Sequence, residues 1–169
     1  QRYGRHRIIA TDLKPFPCGS GVPFERLDVT DLDALAQLVA RYRVDTIFHL
    51  AANLSAAGER NPQRCWHVNI QGLCNVLEVA REQGVRRVIC PSSIAVFGPE
   101  TPRHNTPQDT VLRPTTMYGV TKVAGELLGH FYFKRYGLDV RGLRYPGVIS
   151  SQVLPSGGTT DYAVEIFYE

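Results

Sequence analysis

Nothing in these 169 residues forms an apolar run near the roughly 20 residues that a membrane-spanning helix needs. No charge run stands out either. Lys and Arg total 19 against 16 Asp and Glu, and the small net charge of +3 is spread along the chain, so neither nucleic acid nor a membrane surface is an expected partner. None of the four cysteines, Cys18, Cys65, Cys74 and Cys90, belongs to a Cys-x-x-Cys pair, and they read as reduced thiols of an intracellular protein. The five histidines, His6, His49, His67, His104 and His130, lack zinc-ligand spacing, so no metal site is expected. His49 ends an apolar strand and reads as a packing or hydrogen-bonding residue. Internal repeats, low-complexity segments and a second domain are missing. So is an initiating methionine: QRYG reads as a helix tail stopped by Gly4, as expected of an internal piece of a longer chain.

What is present is ordinary globular composition, 43% hydrophobic and 21% charged, in a chain long enough for one sizeable core. RIIATD (7–12) and FERLDV (24–29) are short apolar runs separated by a loop with three prolines and two glycines. Thr30 or Asp31 caps a helix whose Leu32, Leu35, Leu38, Val39 and Tyr42 recur at helical spacing. DTIFHLAA (45–52) is a third strand that runs into a loop of small residues. A long helix comes next over 61–84, with Asn61 as cap, Pro62 in its first turn and Gly84 as its stop. RRVICPSS (86–93) is the next strand, 98–114 a proline-rich loop, 115–136 a second long helix ended by Gly137, and DVRGLRYPG (139–147) another strand. PSGGTT then leads to a closing helix begun by Asp161. Trp66, Leu127, Leu128 and Phe131 are most simply core residues of the two long helices.

Strands that alternate with helices, each strand an unbroken apolar run, predict an α/β fold with a mostly parallel, doubly wound sheet covered on both faces. Such sheets bind ligands at the carboxyl ends of their strands. Collected there are Asp12, Asp28-Val29, LAANLSA (50–56), Ser92-Ser93 and Tyr145-Pro146-Gly147. Tyr118 and Lys122, four residues apart in MYGVTK and therefore on one helix face, open the helix after the fourth strand. By itself a phenol beside an ammonium is most often a solvated surface pair; these strand ends raise its weight.

Taken together, HLAA, NIQGLCNVLEVA, PSSIAVFG, MYGVTK and RYPG resemble the extended short-chain dehydrogenase/reductase (NAD-dependent epimerase/dehydratase) family, in that family's order and over nearly the whole chain. HLAANLSAAGERNP, PSSIAVFGPETP, RYPGVIS and GGTTDYAVEIFY are similar to its epimerase-like L-threonine 3-dehydrogenase branch, whereas sugar-nucleotide epimerases usually carry an asparagine-containing segment where RYPGVIS stands. The family opens with a strand and a Gly-x-x-Gly-x-x-Gly turn that seats the cofactor pyrophosphate. Neither is present in these residues. The resemblance therefore implies a single partial Rossmann-like NAD-binding domain over 1–169, missing that first strand and turn, with the start of a substrate-binding region at about 150–169.

The resemblance also implies roles for individual residues. Under it, Ser93, Tyr118 and Lys122 are catalytic: Tyr118 takes a proton from a secondary alcohol, Lys122 lowers the phenol's pKa and bonds the nicotinamide ribose, and Ser93 directs the substrate hydroxyl. Asp12 accepts bonds from the adenosine ribose, which favours NAD over NADP. Asp28 and Val29 meet the adenine edge, Leu50, Ala51 and Ala52 pass the backbone close to the cofactor, and Pro146 and Val148 face the nicotinamide. Ser55, Thr159 and Thr160 join Ser93 and Tyr118 in holding the substrate. Asn69, unfavourable in mid-helix without a partner, is expected to bond a neighbouring strand.

The function so implied is oxidation of a small amino acid, L-threonine, at its 3-hydroxyl. A nucleotide-sugar epimerase or dehydratase is the alternative on the same fold, and a remnant without cofactor binding is a third. The long helices (about 62–83 and 115–136) are expected to pair two copies as a homodimer. A cytoplasmic or mitochondrial-matrix setting is expected, and the 169 residues alone are expected to bind NAD poorly and to be inactive.

Overall fold

The structure is a computed structural model, and it describes Gly4, residues 7–15 and residues 21–147. Helix starts are set by local capping. Asp31 accepts the Ala34 N–H at 3.0 Å and opens α1 (Leu32–Tyr42), which turns its Leu35 and Val39 into the core. Asn61 accepts the Arg64 N–H at 3.0 Å, with Pro62 in the first turn of α3 (Pro62–Trp66). Thr116 accepts the Gly119 N–H at 3.0 Å to start α5 (Met117–Tyr136), and Gly137 ends it in the left-handed region at φ 70°.

The predicted helix over 61–84 exists, but it is not uniform. A π-helical turn, His67–Gln71, separates α3 from α4 (Gly72–Glu82). A short helix, α2 (Ser55–Arg60), precedes α3 where a loop is expected from the sequence. Its first residues come after Leu54, which offers no capping side chain, so no sequence signal announces it.

Every ladder among the described residues is parallel. β1 (Ala10–Asp12) pairs with β2 (Phe24–Arg26). β4 (Arg87–Ile89) lies between β3 (Thr46–Phe48) and β6 (Asp139–Arg141). β5 (Ser92–Ser93) pairs with β7 (Arg144–Tyr145). The last ladder continues the second: Cys90 N–H donates to Arg141 O and Ser92 N–H to Leu143 O, both at 2.8 Å. Each of the two long predicted strands is thus broken once. Pro91 has no N–H to give, and Gly142 lies so close that a Cβ there would sit 2.5 Å from Cys90 O. Among the described residues no ladder joins β1 to β3, and Ile8 and Phe48 are exposed. Bare apolar surface of this kind is what a sheet lacking an inner strand leaves.

The core lies between α1, α4, α5 and the sheet, centred on Val76, Leu77, Val79 and Val88 with Tyr132 and Leu138 at its margin. Leu128 packs against it. Trp66, Leu127 and Phe131 do not; they are 45%, 66% and 52% exposed. The apolar arc of α5 is broad and includes both Leu128 and the exposed Leu127 and Phe131, so periodicity alone could not say which part of it turns inward. Among the described residues no helix is long and apolar enough to cross a membrane.

Candidate active site

The carboxyl ends of β3, β4 and β6 open into a cavity of about 790 Å³. Ala51, Ala52, Ser92, Lys122, Tyr145 and Pro146 all line it. Ser93 and Tyr118 stand beside this group. Ser93 ends β5 and caps the short 3₁₀ turn Ile94–Val96, its Oγ accepting the Ala95 N–H at 3.1 Å. Its hydroxyl also lies near enough to the Tyr118 phenol to pull that phenol's pKa down. Tyr118 can sit there because Gly119 lies flush with the loop below. A Cβ at Gly119 would fall 2.3 Å from Ala95 O and 2.6 Å from Pro114 Cβ.

Lys122 is placed one turn along, with a result that i,i+4 spacing did not predict. Its Nζ donates to Pro91 O at 2.8 Å and lies 5.4 Å from the Tyr118 ring centroid. Burial pushes the Lys122 amine below its ordinary value. Burial likewise raises the Tyr118 phenol above 10, with Ser93 opposing the rise. The expected lowering of Tyr118 by Lys122 is therefore not the dominant effect in the chain alone. The ammonium covers the ring face and is committed to a strand carbonyl.

The loop after β3 is held by Asn69 in the π-turn. The Asn69 side chain accepts the Asn53 N–H at 2.7 Å and donates to Asn53 O at 3.1 Å and Thr121 Oγ1 at 3.0 Å. Its partners are thus the loop after β3 and the tyrosine helix, not a strand as expected. Asn75 does the same for the loop after β2, donating to Val29 O at 3.1 Å and Thr30 O at 3.0 Å. Gly72 admits the Val29 side chain, which a Cβ would meet at 2.7 Å. Glu59 of α2 accepts the Met117 N–H at 2.8 Å, which fixes the helix of Ser55 to the start of α5. His49 is buried under the site. Its own burial, reinforced by the nearby Lys122 charge, pushes the imidazole down to about 4.

The remaining predicted residues are less gathered. Asp12 ends β1 in a separate ladder, exposed, with one carboxylate oxygen accepting Lys14 N–H at 3.2 Å. Asp28 is exposed; bonds from Thr30 hold its carboxyl below the usual range. Leu50 is exposed and outside the cavity lining. Val148, Thr159, Thr160 and the helix expected from Asp161 lie outside the described residues. Asn53, Glu59, Thr121, Glu126 and Arg144 were not read from the sequence. Asn53, Glu59, Thr121 and Arg144 fall inside quoted motifs without a role assigned to them, and Glu126 continues the repeat of four from Tyr118 through Lys122.

The model of the NAD dependent epimerase/dehydratase family matches residues 2–162. The chain belongs to that family. An uncharacterized epimerase/dehydratase of Staphylococcus saprophyticus is 51% identical over 99% of this chain and 53% of its own length. A GalE-like L-threonine dehydrogenase from Cupriavidus necator, in its holo form, is 50% identical with a TM-score of 0.95, over 99% of this chain and 54% of that one. The L-threonine dehydrogenase of Clostridium difficile is 48% identical with a TM-score of 0.94, over 99% and 53%. The chain therefore spans about half the length of the relatives it matches.

The donor set fits the outer parts of this family's dinucleotide. Asp12 offers an acceptor for ribose hydroxyls, Ala51 and Ala52 leave room beside the backbone, and Lys122 brings an ammonium to the strand ends. The pyrophosphate finds no Gly-x-x-Gly-x-x-Gly turn in this sequence.

Proposed function

We propose that the full-length protein containing this chain oxidises L-threonine at its 3-hydroxyl with NAD, giving 2-amino-3-oxobutanoate. The observation that carries this reading is the gathering of Ser93, Tyr118 and Lys122, with the Lys122 ammonium 5.4 Å from the Tyr118 ring centroid, at the strand ends of an NAD-dependent family fold. When bound, the nicotinamide accepts a hydride and adds a positive charge. The chain supplies the rest. Tyr118 takes the hydroxyl proton, Ser93 directs that hydroxyl, and Pro91 O fixes Lys122 so that one donor stays at the strand ends. Threonine as the substrate is supported by neighbours near 50% identity that are named L-threonine dehydrogenases and by RYPG at 144–147. Ser55 and the hydroxyls of Thr159 and Thr160 are the substrate contacts of this reading. Asp12 selects NAD over NADP.

The same reading pairs two copies through the helices over about 62–83 and 115–136, and the exposed Leu127 and Phe131 of the second would then be covered. Light scattering on the full-length protein should give a dimer mass, and a Leu127→Glu, Phe131→Glu variant a monomer mass.

The substrate is tested by incubating purified full-length protein with NAD and either L-threonine or a UDP- or dTDP-hexose. NADH formation with threonine alone is expected. Turnover of the sugar nucleotide without oxidation of any free amino acid overturns the assignment.

A further inference from the structure

Glu126 lies one turn beyond Lys122 and two beyond Tyr118, so the three share a face of α5. Its carboxylate receives Arg144 Nε at 2.9 Å, Arg144 Nη2 at 2.7 Å and the Ser92 hydroxyl at 2.6 Å. Arg144 also donates Nη1 to Gln108 O at 3.1 Å, and its guanidinium lies 5.4 Å from the Phe97 ring centroid. The pair is sheltered, with side chains 16% and 26% exposed. Burial alone would raise the Glu126 carboxyl, but Arg144 and Ser92 outweigh it and hold it below its ordinary value. A forked, charge-assisted pair of this kind fixes geometry in two directions at once.

Four segments meet at this one carboxylate and its partner: β5 with Ser92-Ser93, the tyrosine helix, β7 leading to Tyr145-Pro146, and the proline-rich loop through Gln108. We propose that Glu126 and Arg144 are positioning residues of the reaction, setting the register of α5 against β5 and thereby the Tyr118–Ser93 contact. Misplacement by about 1 Å can cost on the order of 10²-fold in rate, so a staple at this place acts on turnover. The proposal rests on Tyr118 being the base and is independent of which alcohol is oxidised.

The test uses the full-length protein with NAD and its active alcohol, L-threonine or, should that be inert, the sugar nucleotide. Inert threonine overturns the substrate reading alone and leaves this measurement intact. Glu126→Gln, Arg144→Lys and the double variant are compared with Arg113→Gln, which breaks the exposed pair to Glu100. The expected result is a roughly tenfold or greater fall in kcat in each single variant, no further fall in the double, an unchanged Kd for NAD, and an acid limb of the kcat pH profile moved upward as Ser93 moves away from Tyr118. Losses that multiply in the double variant, or that track the fall in melting temperature with no change in the pH profile, overturn it. Should the charge variants fail to fold, Ser92→Ala removes only the hydroxyl from Glu126. Wild-type kcat and acid limb in that variant also overturn the proposal.

Discussion

The ammonium of Lys122 sits over the face of the Tyr118 ring, 5.4 Å from its centroid, and is hydrogen-bonded to Pro91 O. Burial then dominates and Tyr118 stays protonated at neutral pH in the chain alone. A base must lose that proton, which the positive charge of an oxidised nicotinamide, when bound beside Tyr118, would favour. In the apo protein Tyr118 should titrate above 10, as monitored by ring-carbon NMR with Tyr118→Phe for assignment. In the presence of NAD the same resonance should titrate lower. Equal titration with and without NAD contradicts this division of labour.

How much of the fold and site was open to sequence reading depended on where each partner sits along the chain. Asp31, Asn61 and Gly137 act within three or four residues and were legible, Asp31 as one of two candidates; Thr116 acts as locally but fell inside the helix expected from residue 115. So were Tyr118, Lys122 and Ser93, whose segments come in a recognisable order. Asn69 reaches 16 residues back to Asn53 and 52 forward to Thr121, so its need for a partner was readable but the partners were not. The Lys122 spacing fixed a neighbour and not the direction of the head group. Glu126 and Arg144 meet only after β6 and β7 return beside α5. The exposed Leu127 and Phe131 read as core because the apolar arc of α5 is broad and takes them in together with Leu128.

His49 gives a stability prediction with a defined pH window. Its folded value is depressed to about 4 from 6.5, so the unfolded chain binds the proton first as pH falls. Stability is full above about 6.5 and declines toward 4, by at most about 3 kcal/mol. Glu126, Glu78, Asp28 and Asp139 also have depressed values, but their contributions are lost only below their unfolded values of 4.5 and 3.8. Urea unfolding of wild type between pH 7 and 5 should therefore show a loss that His49→Gln abolishes. An equal slope in the two proteins contradicts it.

Asn69→Ala should cost about 1–3 kcal/mol, since the half-buried Asn53 backbone and the buried Thr121 hydroxyl lose their partner. Thermal unfolding checks the stability. Calorimetric titration of the full-length protein should also show weaker NAD binding, because the loop of Ala51 and Ala52 is held through Asn53. A variant with unchanged melting temperature and Kd removes the clamp from the account.

Gly119→Ala should destabilise by roughly 1–3 kcal/mol through overpacking, because the added Cβ would fall 2.3 Å from the Ala95 carbonyl oxygen. The strain lands beside Tyr118, so kcat should fall as well. Wild-type stability and turnover in this variant would show that the loop under α5 yields freely.

The central claim is that Tyr118 is the base in a dehydrogenase, and one comparison tests it most directly. NADH formation from L-threonine and the Kd for NAD are measured for full-length wild type and for Tyr118→Phe, which keeps the ring and deletes the hydroxyl. A fall in kcat of about 10²–10⁴-fold with the Kd retained is predicted; near-wild-type turnover in Tyr118→Phe would contradict the claim.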